Sequence, residues 1–234
     1  MTVVYSPDAR HILSCAKNDI RLWDAETGVC KLIIKDTMGE VWKACFSPDG
    51  RNVVSVSSDK IIRIWNLLDA RCMLRLEGHT SDVFDVTYSP NGKYLATASF
   101  DHTVRIWDSS TGYQLKRLEG FNNAVTSVSF SPDGHLLATS SDNIQIWDVQ
   151  TGRMIREIVL IKGSAFSVQF HPNGKRVVIA VGKAIEELDV ETGKCLQILE
   201  RHSGNILTVS YSPDGKNIIS VSTDKTVRVW DAIR

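Results

Sequence analysis

The stretch that decides the fold is residues 88–108, YSPNGKYLATASFDHTVRIWD. It holds two runs rich in β-branched and aromatic residues, YLATAS and TVRIWD, and each is bounded by turn residues, a pattern typical of short β-strands. The tetrapeptide SPNG at 89–92 suits a type I turn, because serine, proline and glycine stand at the first, second and fourth positions that favour that geometry. The stretch therefore predicts a tight turn followed by two antiparallel strands.

The same pattern recurs along the whole chain. The turn occurs six times, at intervals of 40 to 42 residues, and its copies begin at Tyr5, Phe46, Tyr88, Phe130, Phe170 and Tyr211. A second landmark, Trp followed by Asp or Asn, recurs in step with it, except that Leu188 replaces the Trp in the fifth copy. Each copy has one further strand-like run before the turn, and every copy but the last has another after the Trp position. No segment between turns keeps a helical period over ten or more residues, so the chain is predicted to be all-β.

Four-stranded antiparallel units of this length cannot each bury a face alone, and radial packing into a β-propeller is the arrangement that closes them. On the two landmarks the chain resembles the WD-repeat β-propeller family over essentially its whole length. We predict a single domain, residues 1–234, of six four-stranded blades, the last of them incomplete with three strands. The approximate blade bounds are 1–35, 36–77, 78–119, 120–160, 161–200 and 201–234. A six-bladed ring is favoured over the truncated end of a larger propeller.

Composition excludes several classes of function. The chain carries 27 Lys and Arg against 27 Asp and Glu, and a net charge of zero removes the attraction that dominates non-specific nucleic-acid binding. The longest apolar runs, such as residues 158–161, are far shorter than the roughly 20 residues of a membrane helix. Five cysteines without a CxxC motif fit a reduced compartment, the cytoplasm or else the nucleus. We therefore predict neither a nucleic acid nor a membrane as partner.

The resemblance implies a structural hydrogen-bond tetrad within a blade. It joins a His before the first strand, a Ser or Thr of the second strand, an Asp of the next turn and the Trp. By position the members are His79, Thr97, Asp101 and Trp107 in the third repeat, and His202, Ser220, Asp224 and Trp230 in the sixth. Other residues take the histidine position elsewhere, namely Thr37, Phe121 and Ile161. A catalytic interpretation is disfavoured, because a packing device is needed in every blade whereas an active site is needed once.

The remaining polar residues give no sign of catalysis. No HExxH, P-loop, GxGxxG or GxSxG pattern occurs, so the chain is predicted not to be an enzyme and to need no cofactor or metal. The cysteines on the predicted fourth strands, such as Cys195, are expected to act as small buried hydrophobes, and His171 is expected in a solvated loop. Glu187 falls where other repeats carry an apolar residue. A buried charge is costly, so the fifth blade is expected to be distorted, thinner or locally open.

A candidate partner surface follows from the first strand of each repeat. Its apolar positions, for example Val83, Val86 and Tyr88, are spaced by three and then by two, which predicts a β-bulge near the second residue. By resemblance to WD-repeat proteins, the residues around this bulge and the one before the turn Asp face the upper entrance of the central channel, where partners commonly bind. At these places stand Trp42, Phe84, Phe100, Phe166 and Leu207, with the acidic residues Glu40 and Asp82.

These residues predict a non-catalytic scaffold that binds a peptide or protein segment, basic in character, on the upper face. The competing interpretation of the rings is that they pack beneath the loops of adjacent blades. Two other functions stay open, a sensor or repeat module cut from a larger multidomain protein and, less favoured, a propeller enzyme that uses the channel. The isolated chain is predicted to be a monomer, with weak self-association through its unprotected blade edge.

Overall fold

A computed structural model describes residues 2–35, 39–160 and 163–233, so that Thr37 and Ile161 lie outside the described residues. Within these ranges the regular elements are 23 β-strands, and no helix is present. The chain divides into two compact units, Met1–Glu119 and Gly120–Arg234. The all-β prediction is confirmed, whereas a single domain over residues 1–234 stays a prediction.

The strands of the first unit form its first three blades. They are β1 (Thr2–Tyr5), β2 (His11–Ala16), β3 (Asp19–Asp24), β4 (Cys30–Ile34), β5 (Val41–Phe46), β6 (Asn52–Ser57), β7 (Ile62–Asn66), β8 (Cys72–Leu76), β9 (Val83–Tyr88), β10 (Tyr94–Ser99), β11 (Val104–Asp108) and β12 (Gln114–Leu118). Each blade is a four-stranded antiparallel sheet in which strands consecutive in the chain are neighbours.

The second unit holds the remaining three blades. Its strands are β13 (Ser127–Phe130), β14 (Leu136–Ser140), β15 (Ile144–Asp148), β16 (Met154–Ile158), β17 (Ala165–Phe170), β18 (Arg176–Val181), β19 (Ala184–Asp189), β20 (Cys195–Glu200), β21 (Ile206–Tyr211), β22 (Asn217–Ser222) and β23 (Val227–Asp231). The fourth and fifth blades have four strands, and the sixth, β21–β23, has three among the described residues. The predicted incomplete last blade is therefore confirmed.

The proline-containing turn joins the first two strands of a blade, as its sequence predicts. In the second blade the Ser47 hydroxyl donates to Asp49 Oδ1 at 2.5 Å and accepts from the Asn52 amide at 3.0 Å. Gly50 adopts a φ of 70°, a left-handed conformation that glycine takes without steric cost. The turn thus satisfies its own polar groups and leaves the two strands free to pair.

Neighbouring blades within a unit pack face against face. Between the first and second blades, Leu13, Cys15 and Ile20 meet Ala44 and Trp65 in one buried cluster. In the second unit, side chains on the first strand of a blade also accept hydrogen bonds from backbone amides of the next blade. Ser129 accepts from the Phe170 amide, and Gln169 accepts from the Tyr211 amide. Apolar burial and such bonds hold neighbouring blades together within a unit.

The expectation of a distorted or open fifth blade is wrong. Strands β18 and β19 pair without a register shift from Arg176↔Asp189 to Val181↔Ala184, and β20 completes the sheet. Glu187 is fully buried. The sheet tolerates its carboxylate because hydrogen-bond donors and a guanidinium surround it. It accepts hydrogen bonds from the Tyr211 hydroxyl at 2.7 Å and the Ile233 amide at 3.0 Å, and the Arg176 guanidinium lies 3.6 Å away.

Two smaller expectations are also wrong. His171 is buried, since it takes the place of the turn serine: its Nδ1 accepts from the Asn173 amide at 3.0 Å, and its Nε2 lies 3.1 Å from the carbonyl oxygen of Gly215. Cys195 is exposed because β20 is the outer edge strand of its blade. Both differences depend on neighbours that the local sequence does not specify.

Candidate functional site

The bulge predicted in the first strands is confirmed in β5, β9, β17 and β21. In β5, Val41 pairs with Ser57 and Lys43 pairs with Val56, which leaves Trp42 as the extra residue between them. The equivalent extra residues in the other three strands are Phe84, Phe166 and Leu207. A bulge re-aims the side chain it carries, so the same device turns four large apolar side chains out of the regular alternation.

Three of the predicted aromatic residues form one continuous row in the first unit. The ring centroids of Trp42 and Phe84 are 5.2 Å apart, and those of Phe84 and Phe100 are 4.6 Å apart, with interplanar angles of 43° and 44°. Phe100 is 49% exposed, whereas Trp42 and Phe84 are half-buried. We call these three residues the aromatic row. It joins side chains from two adjacent blades into one partly exposed apolar surface.

Backbone hydrogen bonds fix two acidic residues beside the aromatic row. The Phe100 amide donates to the Asp82 carbonyl at 2.9 Å, and the Ser58 amide donates to the Glu40 carbonyl, also at 2.9 Å. Among the described residues, the carboxylates of Asp82 and Glu40 have no hydrogen-bond or ion-pair partner. The nearby cation Lys43 is engaged elsewhere, 2.5 Å from Asp85 Oδ1. As far as residues 2–35, 39–160 and 163–233 show, the edge of the row therefore carries two carboxylates without a cationic partner.

The indole of Trp42 contributes a further polar feature. Its Nε1 is buried and finds no hydrogen-bond acceptor in the described part of the chain. Leaving a buried donor unsatisfied costs about 1 to 3 kcal/mol, so such donors are uncommon in folded proteins. The aromatic row thus holds a donor that its own chain does not use.

Phe166 and Leu207 lie in the second unit and are described there by themselves. They are 51% and 54% exposed, and they occupy the bulges of the inner strands of two adjacent blades. In the described residues, Phe166 makes no ring contact of the kind seen in the aromatic row. These two residues are exposed apolar side chains without a shared cluster.

The third blade brings its four predicted tetrad residues together. Trp107 Nε1 donates to Thr97 Oγ1 at 2.9 Å, Thr97 Oγ1 lies 2.8 Å from His79 Nε2, and His79 Nδ1 lies 2.8 Å from Asp101 Oδ2. Because an indole only donates and a carboxylate only accepts, the chain of bonds runs from Trp107 to Thr97 to His79 to Asp101. Each polar group has its partner, so this set of residues is suited to packing.

The sixth blade repeats the arrangement. Trp230 Nε1 donates to Ser220 Oγ at 2.8 Å, Ser220 Oγ lies 2.7 Å from His202 Nε2, and His202 Nδ1 lies 2.7 Å from Asp224 Oδ2. Two blades in separate units therefore share one geometry. Its role in stability stays a prediction.

Electrostatics in the tetrad favour the ionised carboxylate. Burial alone would raise the pKa of Asp101, but hydrogen bonds from His79, the Thr103 hydroxyl and the Thr80 amide outweigh it and hold that pKa below 3.8. Hydrogen bonds from Thr226 and His202 likewise lower the pKa of Asp224. A carboxylate held in this way is a poor general base, because its affinity for a proton is reduced.

The landmarks that carry the resemblance also match a family model. The model described as "WD domain, G-beta repeat" matches residues 1–24, 28–66, 70–108, 112–148 and 193–231, well over half of the chain. The chain belongs to the WD-repeat family. The interval 149–192, which contains the Trp-less third strand of the fifth blade, is not matched. No curated protein matches this WD-repeat protein. WD-repeat propellers generally act as protein-interaction scaffolds and are typically non-catalytic.

Some contacts of this WD-repeat protein escaped the sequence analysis. In the second blade, which lacks the tetrad histidine, the buried Arg63 pairs with Asp59 through two hydrogen bonds of 3.1 and 2.6 Å. In the fourth blade the ring of Phe121 takes the histidine place and lies 5.5 Å from that of Trp147. The pairing of Arg63 with Asp59 could have been found from their spacing of four along the chain. The contact between the rings of Phe121 and Trp147 could be found only in the structure, because it depends on how the side chains pack.

Two negative findings hold for residues 2–35, 39–160 and 163–233. No group of three or more His, Cys, Asp or Glu side chains there is placed to hold a metal ion. Nor does any helix there have the length and apolar character to cross a membrane.

Proposed function

We propose that this WD-repeat protein is a non-catalytic scaffold that binds a peptide or protein segment of a partner through the aromatic row. The observation that carries the proposal is the row itself, three rings in mutual contact on two blades with one ring half exposed. Partly exposed aromatic clusters in a polar surround are typical of binding hot spots. The β-bulges also support the proposal. They take Trp42 and Phe84 out of the regular alternation of side chains between the two faces of the sheet.

The charges beside the row favour a basic partner. Asp82 and Glu40 offer unneutralised carboxylates, and a Lys or Arg side chain could pair with them while lying over the face of Phe100. A methyl-lysine cage is not supported, since rings whose centroids are 4.6 and 5.2 Å apart touch one another and leave no room for a cation between them. The unsatisfied Trp42 Nε1 would also suit a carbonyl acceptor of the bound segment.

The binding test uses synthetic nine-residue peptide pools, one with Arg and Leu at its central positions and one with Glu and Leu there. We expect the basic pool to bind and the acidic pool to fail. Trp42→Ala and Phe100→Ala should each weaken binding by about 2 kcal/mol, roughly thirtyfold, as hot-spot truncations do. Fluorescence polarisation of labelled peptides measures the effect.

The matched control is Tyr113→Ala, which removes another exposed aromatic ring, 75% accessible, from the same unit but outside the row. It should leave binding unchanged. The proposal fails if Tyr113→Ala weakens binding as much as Trp42→Ala does, or if the wild-type chain prefers the acidic pool.

We further propose a cytoplasmic or nuclear location. The support lies in the five cysteines of the sequence, an odd number with no CxxC motif. Such cysteine usage fits reducing compartments, where disulfides are rare.

A further inference from the structure

An ion pair joins the two bulges that carry the aromatic row. Lys43 follows Trp42 in β5, and Asp85 follows Phe84 in β9. Lys43 Nζ lies 2.5 Å from Asp85 Oδ1, which is the distance of a short, charge-assisted hydrogen bond. The residues one position earlier, Trp42 and Phe84, are in ring contact with each other. Each end of the ion pair is therefore the direct chain neighbour of a ring of the row.

The surroundings of this pair keep it ionic and partly shielded from water. The side chain of Asp85 is 4% exposed and that of Lys43 is 32% exposed. Burial alone would lower the pKa of Lys43, but the adjacent Asp85 carboxylate outweighs it and raises that pKa. Lys43 is therefore charged at neutral pH. A partly buried pair of this kind is screened by salt much less than a pair on the open surface.

The core between the second and third blades is apolar. In the described part of the chain β5 and β9 belong to separate sheets, so side-chain contacts set the distance between the two bulges. Val54 and Ile62 of the second blade pack with Val83 and Leu95 of the third in one buried cluster. Apolar burial holds the blades together but is non-directional. A hydrogen-bonded ion pair has a defined length and direction, so it can fix one bulge relative to the other.

The same position ties one first strand to the next in the second unit, with shorter side chains. Ser127 and Ser167 stand where Lys43 stands in its strand. Their hydroxyls accept hydrogen bonds from the Val168 and Val209 amides of the next blade, both at 3.3 Å. The residue after the bulge position therefore contacts the following blade at three places in the chain, and Lys43 does so through a charge.

We propose that Lys43 and Asp85 are positioning residues for the aromatic row, because their ion pair fixes the two bulges so that the rings of Trp42 and Phe84 stay in contact. As a statement about partner binding, the inference rests on the proposed function. Side chains that are already held in their binding geometry lose less conformational freedom when a partner binds. Loss of the ion pair should therefore weaken binding, although neither of its residues belongs to the row.

Three variants separate positioning from general stability. The double variant Lys43→Met/Asp85→Leu removes the directed contact and leaves no buried ion without a partner, so it should fold; apolar replacements of a buried pair are often neutral in stability. Lys43→Arg is the conservative variant and keeps a cation for Asp85. Cys45→Ala is the matched control, since it removes a different contact between the same two blades, the hydrogen bond from the Cys45 thiol to the Val86 carbonyl at 3.6 Å. Urea unfolding checks that every variant is folded.

The first readout is the ring contact itself, measured by fluorine NMR of the chain labelled with 5-fluorotryptophan. The Trp42 resonance, assigned with Trp42→Phe, senses the ring current of Phe84, whose centroid is 5.2 Å away. We expect this resonance to move in the double variant, as it should in Phe84→Ala. It should keep its wild-type position in Lys43→Arg and in Cys45→Ala. A double variant with an unshifted Trp42 resonance overturns the proposal.

The second readout is the affinity for the basic peptide pool, measured by fluorescence polarisation. The double variant should bind about tenfold more weakly, whereas Lys43→Arg and Cys45→Ala should bind like the wild type. A double variant with wild-type affinity overturns the role in binding, and so does a Cys45→Ala chain that loses as much affinity as the double variant. If the wild-type chain does not bind the pool, the proposed function fails, and the Trp42 resonance still decides whether the ion pair positions the rings.

Discussion

At the scale of the residue, Asp101 shows how one carboxylate can hold three segments of a blade. It accepts from His79, from the Thr80 amide and from the Thr103 hydroxyl, and through His79 it orders the Thr97 and Trp107 side chains. Removing it would leave several buried donors without an acceptor, which costs about 1 to 3 kcal/mol. A substitution of Asp101 therefore tests whether the tetrad stabilises the folded chain.

We expect Asp101→Ala to lower the free energy of unfolding by about 1 to 3 kcal/mol and to lower the melting temperature, measured by thermal and urea unfolding. Asp142→Ala is the control, because Asp142 takes the same turn position in a blade that has Phe121 in place of the histidine. It should cost less. Equal losses in the two variants would contradict the tetrad account.

The same carboxylate predicts a dependence on pH. Its pKa in the folded chain lies below 3.8, so the unfolded chain binds more protons as the pH falls past that value. The stability that Asp101 contributes is then complete above about pH 5 and is lost progressively below about pH 4. In Asp101→Ala this part of the acid sensitivity should be absent.

At the scale of the element, the fifth blade carries a buried ionic network around Glu187, at a position where the other repeats have an apolar residue. Strand β19 carries Glu187, β18 carries Arg176 and β21 of the next blade carries Tyr211, so the carboxylate links two blades. The Ile233 amide, beyond the end of β23, is a third partner. A regular sheet forms around the charge because these partners satisfy it.

We expect Glu187→Leu to destabilise the chain by about 3 kcal/mol or more, although it restores the apolar residue type of the other repeats. The reason is that Arg176 and Tyr211 would lose their buried acceptor, and breaking one side of a buried pair typically costs about 3 to 5 kcal/mol. Urea unfolding measures it, with the exposed Glu191→Leu as control. A Glu187→Leu variant as stable as the wild type would show that the network adds nothing.

This element also marks where prediction from sequence stops. Turn chemistry and the two landmarks are local and periodic, so they specified the strands, the bulges and the short last blade. The partners of Glu187 come from positions 10 to 46 residues away in the chain, and two of them, Tyr211 and Ile233, belong to the next repeat. A repeat pattern compares each residue only with those at the equivalent position of the other repeats. Glu187 was therefore predicted to distort its blade, because the equivalent residues are apolar. His171 was misjudged for the same reason, since its contact with Gly215 joins two repeats.

At the scale of the whole molecule, the residues that we propose to bind a partner stand at positions where the repeated blades differ in sequence. The first strands of four blades, β5, β9, β17 and β21, share one bulge. In the first unit the bulges of two adjacent blades carry Trp42 and Phe84, and the turn after β10 adds Phe100. The sequence pattern predicted that these residues stand around the bulge or directly before the turn Asp, on one side of the blades. It could not show that the rings touch, nor that the Trp42 donor lacks an acceptor, because both depend on side-chain packing across blades.

The most direct test of the scaffold account compares Phe84→Ala with Trp107→Ala in two assays, binding of the basic peptide pool and thermal unfolding. Phe84 is the central ring of the row and is half-buried, whereas Trp107 is 1% exposed in the core. We predict that Phe84→Ala loses about thirtyfold or more in affinity and unfolds near the wild-type temperature, while Trp107→Ala loses about 3 to 5 kcal/mol of stability. A Phe84→Ala chain that unfolds like Trp107→Ala, or that binds the peptides as tightly as the wild type, would contradict the account.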